Sequence, residues 1–212
     1  MPADFEKVEY WRKRFAKEQS FEWLTSSSAF FAILEPLLTP LPPDSTVLHL
    51  GSGTSDLHVY FRRHCPQLQI INMDYEPLAL ERGRGMERNE FGNIEMGYQV
   101  QDVTLPFEMG VEQRGKVRMV IDKSTVDAVS CGGDENVIRM AEAIYDVLDK
   151  EAGVWVSLSF SDSRFEMDSK RVQELFEVSV LTKVATGPKR LESDPDIWHW
   201  CWLLRPKAGP IS

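Results

Sequence analysis

Two glycines after a short apolar run are the first residues in the chain whose types and spacing suggest ligand binding. Gly51-Ser52-Gly53 directly follows Thr46-Val47-Leu48-His49-Leu50, which has the pattern of a buried strand. Glycine permits a tight turn and lets a ligand approach the backbone, and the helix that follows offers free N–H groups. The pattern predicts a ligand site, although a plain strand-to-helix turn has the same sequence signature.

The residue three positions after Gly53 restricts the kind of ligand. A nicotinamide-binding turn has the pattern GxGxxG, and Asp56 holds the position of its third glycine here. A carboxylate at that point would repel a pyrophosphate, which argues against a nicotinamide oxidoreductase. A cofactor without phosphate that carries a positive sulfonium is the better match.

Acidic residues follow the next two predicted strands. Asp74 comes 21 residues after Gly53, a spacing at which a carboxylate can accept hydrogen bonds from ribose hydroxyls. Asp102-Val103 follows the third strand, where a carboxylate and a backbone N–H could contact an adenine. Each acid alone could be a solvated residue at a strand or loop end. Their order after the glycine turn favours a nucleoside site.

The fourth predicted strand ends in Asp122-Lys123-Ser124-Thr125-Val126-Asp127-Ala128. Two acids and a lysine at a strand terminus are unusual, but the segment also suits a helix-capping turn with Ser124 or Thr125 as the cap. Before the first strand, Tyr10-Trp11 and Phe21-Glu22-Trp23 supply bulky aromatic rings. These rings either pack helices onto the core or cover a pocket, where an aromatic face would attract a cation such as a sulfonium.

The hydrophobic pattern predicts the elements that must position these residues. Strands are predicted at 46–50, 69–74, 94–101, 117–122 and 153–160, with helices between them, and two late strands at 177–186 and 197–204. This alternation predicts an α/β fold with a Rossmann-like, doubly wound, mostly parallel seven-stranded sheet and an antiparallel C-terminal edge hairpin. Helices before residue 46 form an N-terminal extension. Ligands of such sheets bind at the carboxyl ends of the strands.

Composition excludes several classes of function. The 212 residues contain 42% apolar and 27% charged residues, which is typical of a soluble protein and fits one domain over 1–212. The net charge of -9 disfavours nucleic acid as a partner. The three cysteines and four histidines lack metal-ligand spacing, so no metal site is expected. No secretory signal or membrane span is evident, and a cytoplasmic location is expected.

These motifs resemble the class I, seven-β-strand methyltransferases that use S-adenosylmethionine. The chain is more narrowly similar to the group containing the lysine methyltransferases of translation elongation factor 1-alpha and of citrate synthase. The resemblance rests on Val8-Glu9-Tyr10-Trp11, on Phe21-Glu22-Trp23 and on the segment from Asp122 to Ala128, where the family has DKGT[LW]DA. The chain departs from the family in Ser124, which replaces a glycine, in Phe15, which replaces a frequent tyrosine, and in the glycine turn, where the family often has GCGNS.

The resemblance implies a role for each part of the chain. Residues 1–45 would form part of the cofactor pocket, 46–160 the cofactor-binding core and 161–212 the substrate side. The implied contacts are Trp11, Phe15 and Trp23 in the pocket lining, Gly51 and Gly53 at the amino-acid end of the cofactor, Asp74 at the ribose, Tyr75, Asp102 and Val103 at the adenine, Lys123 at the cofactor, and Asp122 near the methyl group, facing the substrate.

The expected reaction is direct transfer of a methyl group to a nitrogen, with a protein lysine as the favoured acceptor and an elongation-factor-like protein as the favoured partner. Asp122 is the candidate to position the amine by hydrogen bonding, because of its place at a strand end. The 187–196 loop between the last two strands is expected to help select the substrate. A small-molecule methyltransferase and a catalytically degenerate binding protein remain as alternatives.

Overall fold

The computed structural model describes residues 4–110, 114–166, 170–186 and 196–208. The strands are β1 (Thr46–Leu50), β2 (Gln69–Asp74), β3 (Gly97–Val100), β4 (Met119–Lys123), β5 (Val154–Ser159), β6 (Phe176–Ala185) and β7 (Trp198–Pro206). The helices are α1 (Val8–Phe15), α2 (Ser27–Leu38), α3 (Leu57–His64), α4 (Pro77–Phe91), α5 (Thr125–Ser130), α6 (Asp134–Val147) and α7 (Arg171–Leu175). Within the described residues, no helix is both long and apolar enough to cross a membrane.

The strands form one sheet in the order β3-β2-β1-β4-β5-β7-β6. The first five are parallel, β7 runs antiparallel to β5, and β6 pairs antiparallel with β7. The predicted fold class, including the C-terminal hairpin, is therefore confirmed. Residues 187–195 of the loop within that hairpin lie outside the described residues.

Apolar side chains alternate between the two faces of the sheet, and each face is covered by helices. On β1, Leu48 and Leu50 pack with the apolar stripe of α6, whereas Val47 packs with α2 and α3 on the other face. This double coverage explains why the central strands are continuously apolar in sequence. Burial of each large aliphatic side chain contributes about 1.5–3 kcal/mol, so the two layers hold the strand ends in fixed positions.

Several boundaries differ from the sequence prediction by one to three residues, and two of these differences have a local reason. Helix α4 continues to residue 91 and ends at Gly92, whose left-handed φ of 81° suits a helix C-cap. Strand β3 begins only at Gly97, because the N–H groups of Glu95 and Met96 donate to the buried Glu87 carboxylate instead of to a neighbouring strand. A further helix, α5, follows β4 directly, and the sequence analysis had placed only a possible helix cap there.

Asp122 lies inside the protein beneath the carboxyl end of the sheet. Its side chain is 0% exposed, and its two oxygens accept hydrogen bonds from the Val126 backbone N–H (3.1 Å) and the Trp155 indole N–H (2.7 Å). These bonds join β4 to α5 and to β5. Burial, opposed by these hydrogen bonds, raises the pKa of Asp122 to about 6.

This placement predicts a specific pH dependence of stability for Asp122→Asn. The raised pKa favours the protonated carboxyl in the folded state, so its stabilisation is complete below the ordinary carboxyl pKa and is lost as pH rises through about 6. Asparagine does not titrate. The unfolding free energy of the variant minus that of the wild type should therefore increase by about 2 kcal/mol from about pH 4 to pH 7.

Urea unfolding at several pH values measures this difference. Asp146→Asn, at an exposed aspartate, is the control and should show little pH dependence of the difference. If the unfolding free energy of Asp122→Asn minus that of the wild type stays constant from pH 4 to pH 7, the raised pKa of Asp122 is wrong.

Candidate functional site

A cavity of about 430 Å³ opens at the carboxyl edge of the parallel strands, within the 300–1,000 Å³ range of small-molecule sites. Its lining comes from the turns after β1, β2, β3, β4 and β5 and from the chain segment before α2. Every residue predicted to contact the cofactor lies in this lining. These residues are Trp11, Phe15, Trp23, Gly51, Gly53, Asp74, Tyr75, Asp102, Val103 and Lys123.

The glycine turn after β1 has a backbone that other residues rarely adopt. Gly51 and Gly53 have φ values of 57° and 53°. A Cβ atom on Gly51 would lie 2.2 Å from the Thr125 hydroxyl oxygen, which itself donates to the Leu50 carbonyl at 3.0 Å. Gly51 is thus required by the close approach of α5, and Gly53 leaves space below the Phe15 ring.

Asp74 joins the end of β2 to the glycine turn. It accepts hydrogen bonds from the backbone N–H groups of Gly53 and Glu76, both at 2.9 Å. The carboxylate is 4% exposed, and burial raises its pKa to about 6. Each of its oxygens retains a lone pair, which suits the acceptance of two hydroxyl hydrogens from a ribose. Tyr75 lies beside it in the lining, and burial also raises the pKa of this phenol.

The turn after β3 presents Asp102 and Val103 to the cavity. One oxygen of Asp102 accepts hydrogen bonds from the backbone N–H (2.9 Å) and the hydroxyl (2.7 Å) of Thr104. Within the part of the chain that the structure describes, its other oxygen has no hydrogen-bond donor. This arrangement fixes the orientation of the carboxylate and leaves one oxygen for an amino group such as that of adenine.

Aromatic rings from the N-terminal segment also line the cavity. The Trp11 ring lies 5.4 Å from Phe15 and 6.0 Å from Trp23, and Phe5 lies 5.9 Å from both tryptophans. The guanidinium of Arg14 stacks at 4.7 Å from the Trp23 ring. The rings are already oriented around one cation, and their cavity-facing sides offer an apolar, cation-attracting surface.

Lys123 lines the cavity, but its ammonium points toward the N-terminal segment. It forms an ion pair with Glu22 and hydrogen bonds with the Thr25 carbonyl (3.4 Å) and the Ser55 hydroxyl (3.3 Å). The Lys123 side chain is only 4% exposed. The ion pair connects residues 101 positions apart in sequence, and it holds the aromatic segment over the cavity.

Asp122 is the predicted site residue that the structure does not bring to the cavity. Both of its oxygens are bonded inside the protein, and its side chain does not contribute to the lining. The prediction that Asp122 faces the substrate is corrected for this reason. Side chains alternate along a strand, so Asp122 and Lys123 point to opposite faces, and Lys123 is the one that borders the cavity.

Several lining residues had no role assigned from the sequence, among them Asp127, Phe160 and the pair Phe5-Glu6. Asp127 belongs to the quoted β4 motif but received no role. It accepts hydrogen bonds from Ser124, Ser159, the Phe160 N–H and Arg164, and so fixes the turn after β5. Phe160 follows β5, and applying the strand-end argument to that strand would have found it. No signal in the sequence marked Phe5-Glu6.

Ser124 replaces a glycine of the family motif at a position with a left-handed backbone, where φ is 67°. Glycine adopts this conformation without steric strain, whereas a residue with a Cβ atom does so less readily. In this chain the serine hydroxyl donates to Asp127 at 3.1 Å. The substitution therefore keeps the turn and adds a bond to the residue that organises the β5 turn.

Comparison with known proteins identifies relatives of the chain as a whole. No family model matches the chain. The methyltransferase srdJ of Neurospora crassa is 45% identical over 205 residues, which cover 96% of this chain and 85% of that protein.

Solved structures share the fold at low sequence identity. The N-methyltransferase NodS from Bradyrhizobium japonicum, in complex with S-adenosyl-L-homocysteine, has a TM-score of 0.66 at 10% identity and covers 97% of this chain and 100% of that one. The magnesium protoporphyrin IX methyltransferase ChlM from Synechocystis, with bound S-adenosylmethionine, has a TM-score of 0.60 at 10% identity, with coverages of 95% and 93%.

The methyltransferase relative, the seven-stranded fold and the strand-end groups around the cavity agree with one another. The chain belongs to the class I S-adenosylmethionine-dependent methyltransferases.

Proposed function

We propose that the chain transfers a methyl group from S-adenosylmethionine to the side-chain nitrogen of a protein lysine. The observation that carries the cofactor part is the convergence of Gly53, Asp74 and Asp102 on one cavity. Turns after β1, β2 and β3 supply these groups in the order that amino acid, ribose and adenine require. The aromatic rings of Trp11 and Trp23 suit the sulfonium.

The acceptor part rests on the shape and chemistry of the remaining cavity. The cofactor assignments use the ends of β1 to β3, which leaves the space over β4 and β5 for an acceptor. Its lining includes Val129, Phe160 and Phe5. We expect S-adenosylmethionine to fill most of the cavity of about 430 Å³. The remaining space then suits a narrow alkyl chain such as the lysine side chain. The net charge of -9 favours a basic protein partner.

The protein's contribution to catalysis is orientation and exclusion of water. When bound, the cofactor supplies an electrophilic methyl group on a positively charged sulfur. Asp74 and Asp102 fix the nucleoside, and the Lys123–Glu22 ion pair keeps the aromatic segment over the cavity. These contacts hold donor and acceptor in line, which lowers the entropic part of the barrier.

Small-molecule methylation is the second candidate. Phe160 and Phe21 line the cavity and are 58% and 42% exposed. Two exposed rings at the cavity opening would also suit a flat organic acceptor, because aromatic faces stack on one another.

Asp74→Asn should weaken binding of S-adenosylhomocysteine at least tenfold, since hydrogen bonds to a charged carboxylate contribute about 1.5–3 kcal/mol each. The wild-type affinity should also fall below about pH 6, because protonation of Asp74 removes the charge, whereas the variant should show no such pH dependence. Isothermal titration calorimetry from pH 5 to 8 measures both effects.

Asp56→Asn is the matched control for this titration. Asp56 lies close to the glycine turn but outside the cavity lining, so its variant should bind like the wild type. Equal affinity of Asp74→Asn and wild type, with both folded, would remove the ribose assignment.

The acceptor class is tested with methyl-labelled S-adenosylmethionine and an extract of cells that lack this protein, separated into protein and metabolite fractions. We expect label in the protein fraction, recovered as methyllysine after acid hydrolysis, and none with Asp74→Asn. Label confined to the metabolite fraction would reject the lysine proposal and support the second candidate.

A further inference from the structure

One carboxylate in the cavity lining differs from the others in its contacts. The acidic side chains of the lining are Glu6, Asp74, Asp102 and Asp127. The three aspartates all accept hydrogen bonds from the protein. Across residues 4–110, 114–166, 170–186 and 196–208, no hydrogen bond or ion pair involves the Glu6 side chain. It is half-buried and therefore neither fully solvated nor neutralised.

Glu6 lines the cavity close to the end of helix α5. A Cβ built on Gly132, in the link between α5 and α6, would lie 3.4 Å from the Glu6 Cβ. After the effect of burial, the Glu6 carboxylate helps to raise the pKa of Cys131, and it also contributes to the raised pKa of Tyr75. The carboxylate thus stands between the end of β2 and helix α5.

The cations nearest to Glu6 form their ion pairs with other acids. Lys7, its chain neighbour, pairs with Asp4 at 2.9 Å, and the pKa of Lys7 is raised first by Asp4 and to a smaller extent by the charge of Glu6. Lys123 pairs with Glu22, and Arg164 pairs with Asp127 at 2.9 Å. A partly buried carboxylate without an ion-pair partner gains from a bound cation. The cavity therefore presents one open anionic position beside an apolar acceptor space.

We infer that Glu6 is the residue that binds and orients the acceptor ammonium, with the lysine stem along Phe5, Val129 and Phe160. This inference rests on the proposed lysine acceptor. The ammonium donates N–H bonds to the Glu6 carboxylate and loses one proton to the solvent at the cavity opening before it attacks. Its lone pair then forms the N–C bond as the S–C bond breaks, and the electron pair of the broken bond stays on sulfur.

The test compares wild type, Glu6→Gln and the control Glu9→Gln, each saturated with S-adenosylhomocysteine. Glu9 is exposed on α1 and its charge also acts on Tyr75, but it does not line the cavity. The probes are N-acetyl-lysine amide and its uncharged analogue N-acetyl-norleucine amide, titrated by NMR. Because a hydrogen bond to a charged group is lost, the affinity for the lysine probe should fall at least tenfold in Glu6→Gln and in no other variant. The affinity for the norleucine probe should not change.

Three other outcomes each reject a defined statement. If wild type prefers the lysine probe and Glu6→Gln retains that preference, the role of Glu6 is wrong and the amine acceptor stands. If wild type does not distinguish the two probes, the amine acceptor and the role of Glu6 both fail. If Glu6→Gln loses affinity for S-adenosylhomocysteine itself, Glu6 belongs to the cofactor site. Because the Glu6 side chain makes no hydrogen bond to any residue that the structure describes, the variant should unfold at the wild-type temperature.

Discussion

The parallel pairing of β1 with both β2 and β4 is the constraint on which the site depends. It places the turn after β1 between two others, so that Gly53 meets Asp74 on one side and Gly51 meets Thr125 on the other. A side chain at Gly51 would collide with α5, and any other backbone path would break the bond to Asp74. The geometry of the cavity floor is thus a consequence of strand order.

The N-terminal segment completes the cavity through electrostatics as well as packing. The buried ammonium of Lys123 needs a partner, and Glu22 supplies it from a segment far away in sequence. The same segment carries Trp23, whose ring joins those of Trp11 and Phe5. Phe15 connects these rings to the glycine turn, because it contacts both Trp11 and the space beside Gly53. The ion pair and the aromatic contacts therefore hold the same segment in place. The result is a site shielded from water, which strengthens every charge interaction inside it.

Carboxylates of the same chemical type serve different purposes here according to what their oxygens contact. Asp122 and Asp127 are satisfied by the protein and connect strands, helices and turns. Asp74 accepts hydrogen bonds from two backbone N–H groups, and its oxygens retain further acceptor positions that a ligand could use. Its burial raises its pKa. Glu6 alone among the lining acids makes no such bond in the described chain. The number of protein donors around each acid therefore distinguishes the acids whose oxygens are satisfied within the described chain from those that retain free acceptor positions.

The sequence by itself determined the seven-stranded, mostly parallel fold class and which strand-end residues are expected to contact the cofactor. Periodicity marked the strands, and ligand groups in a parallel sheet follow strand ends, so Gly51, Gly53, Asp74 and Asp102 were identifiable from local pattern alone. Only the tertiary structure decided which way the β4 side chains point and what surrounds them: Asp122 is enclosed by Val126 and Trp155, and Lys123 meets Glu22. The position of Glu6 in the cavity lining was also evident only from the tertiary structure. Contacts between residues distant in sequence decide whether a charge is satisfied, and no local pattern encodes them.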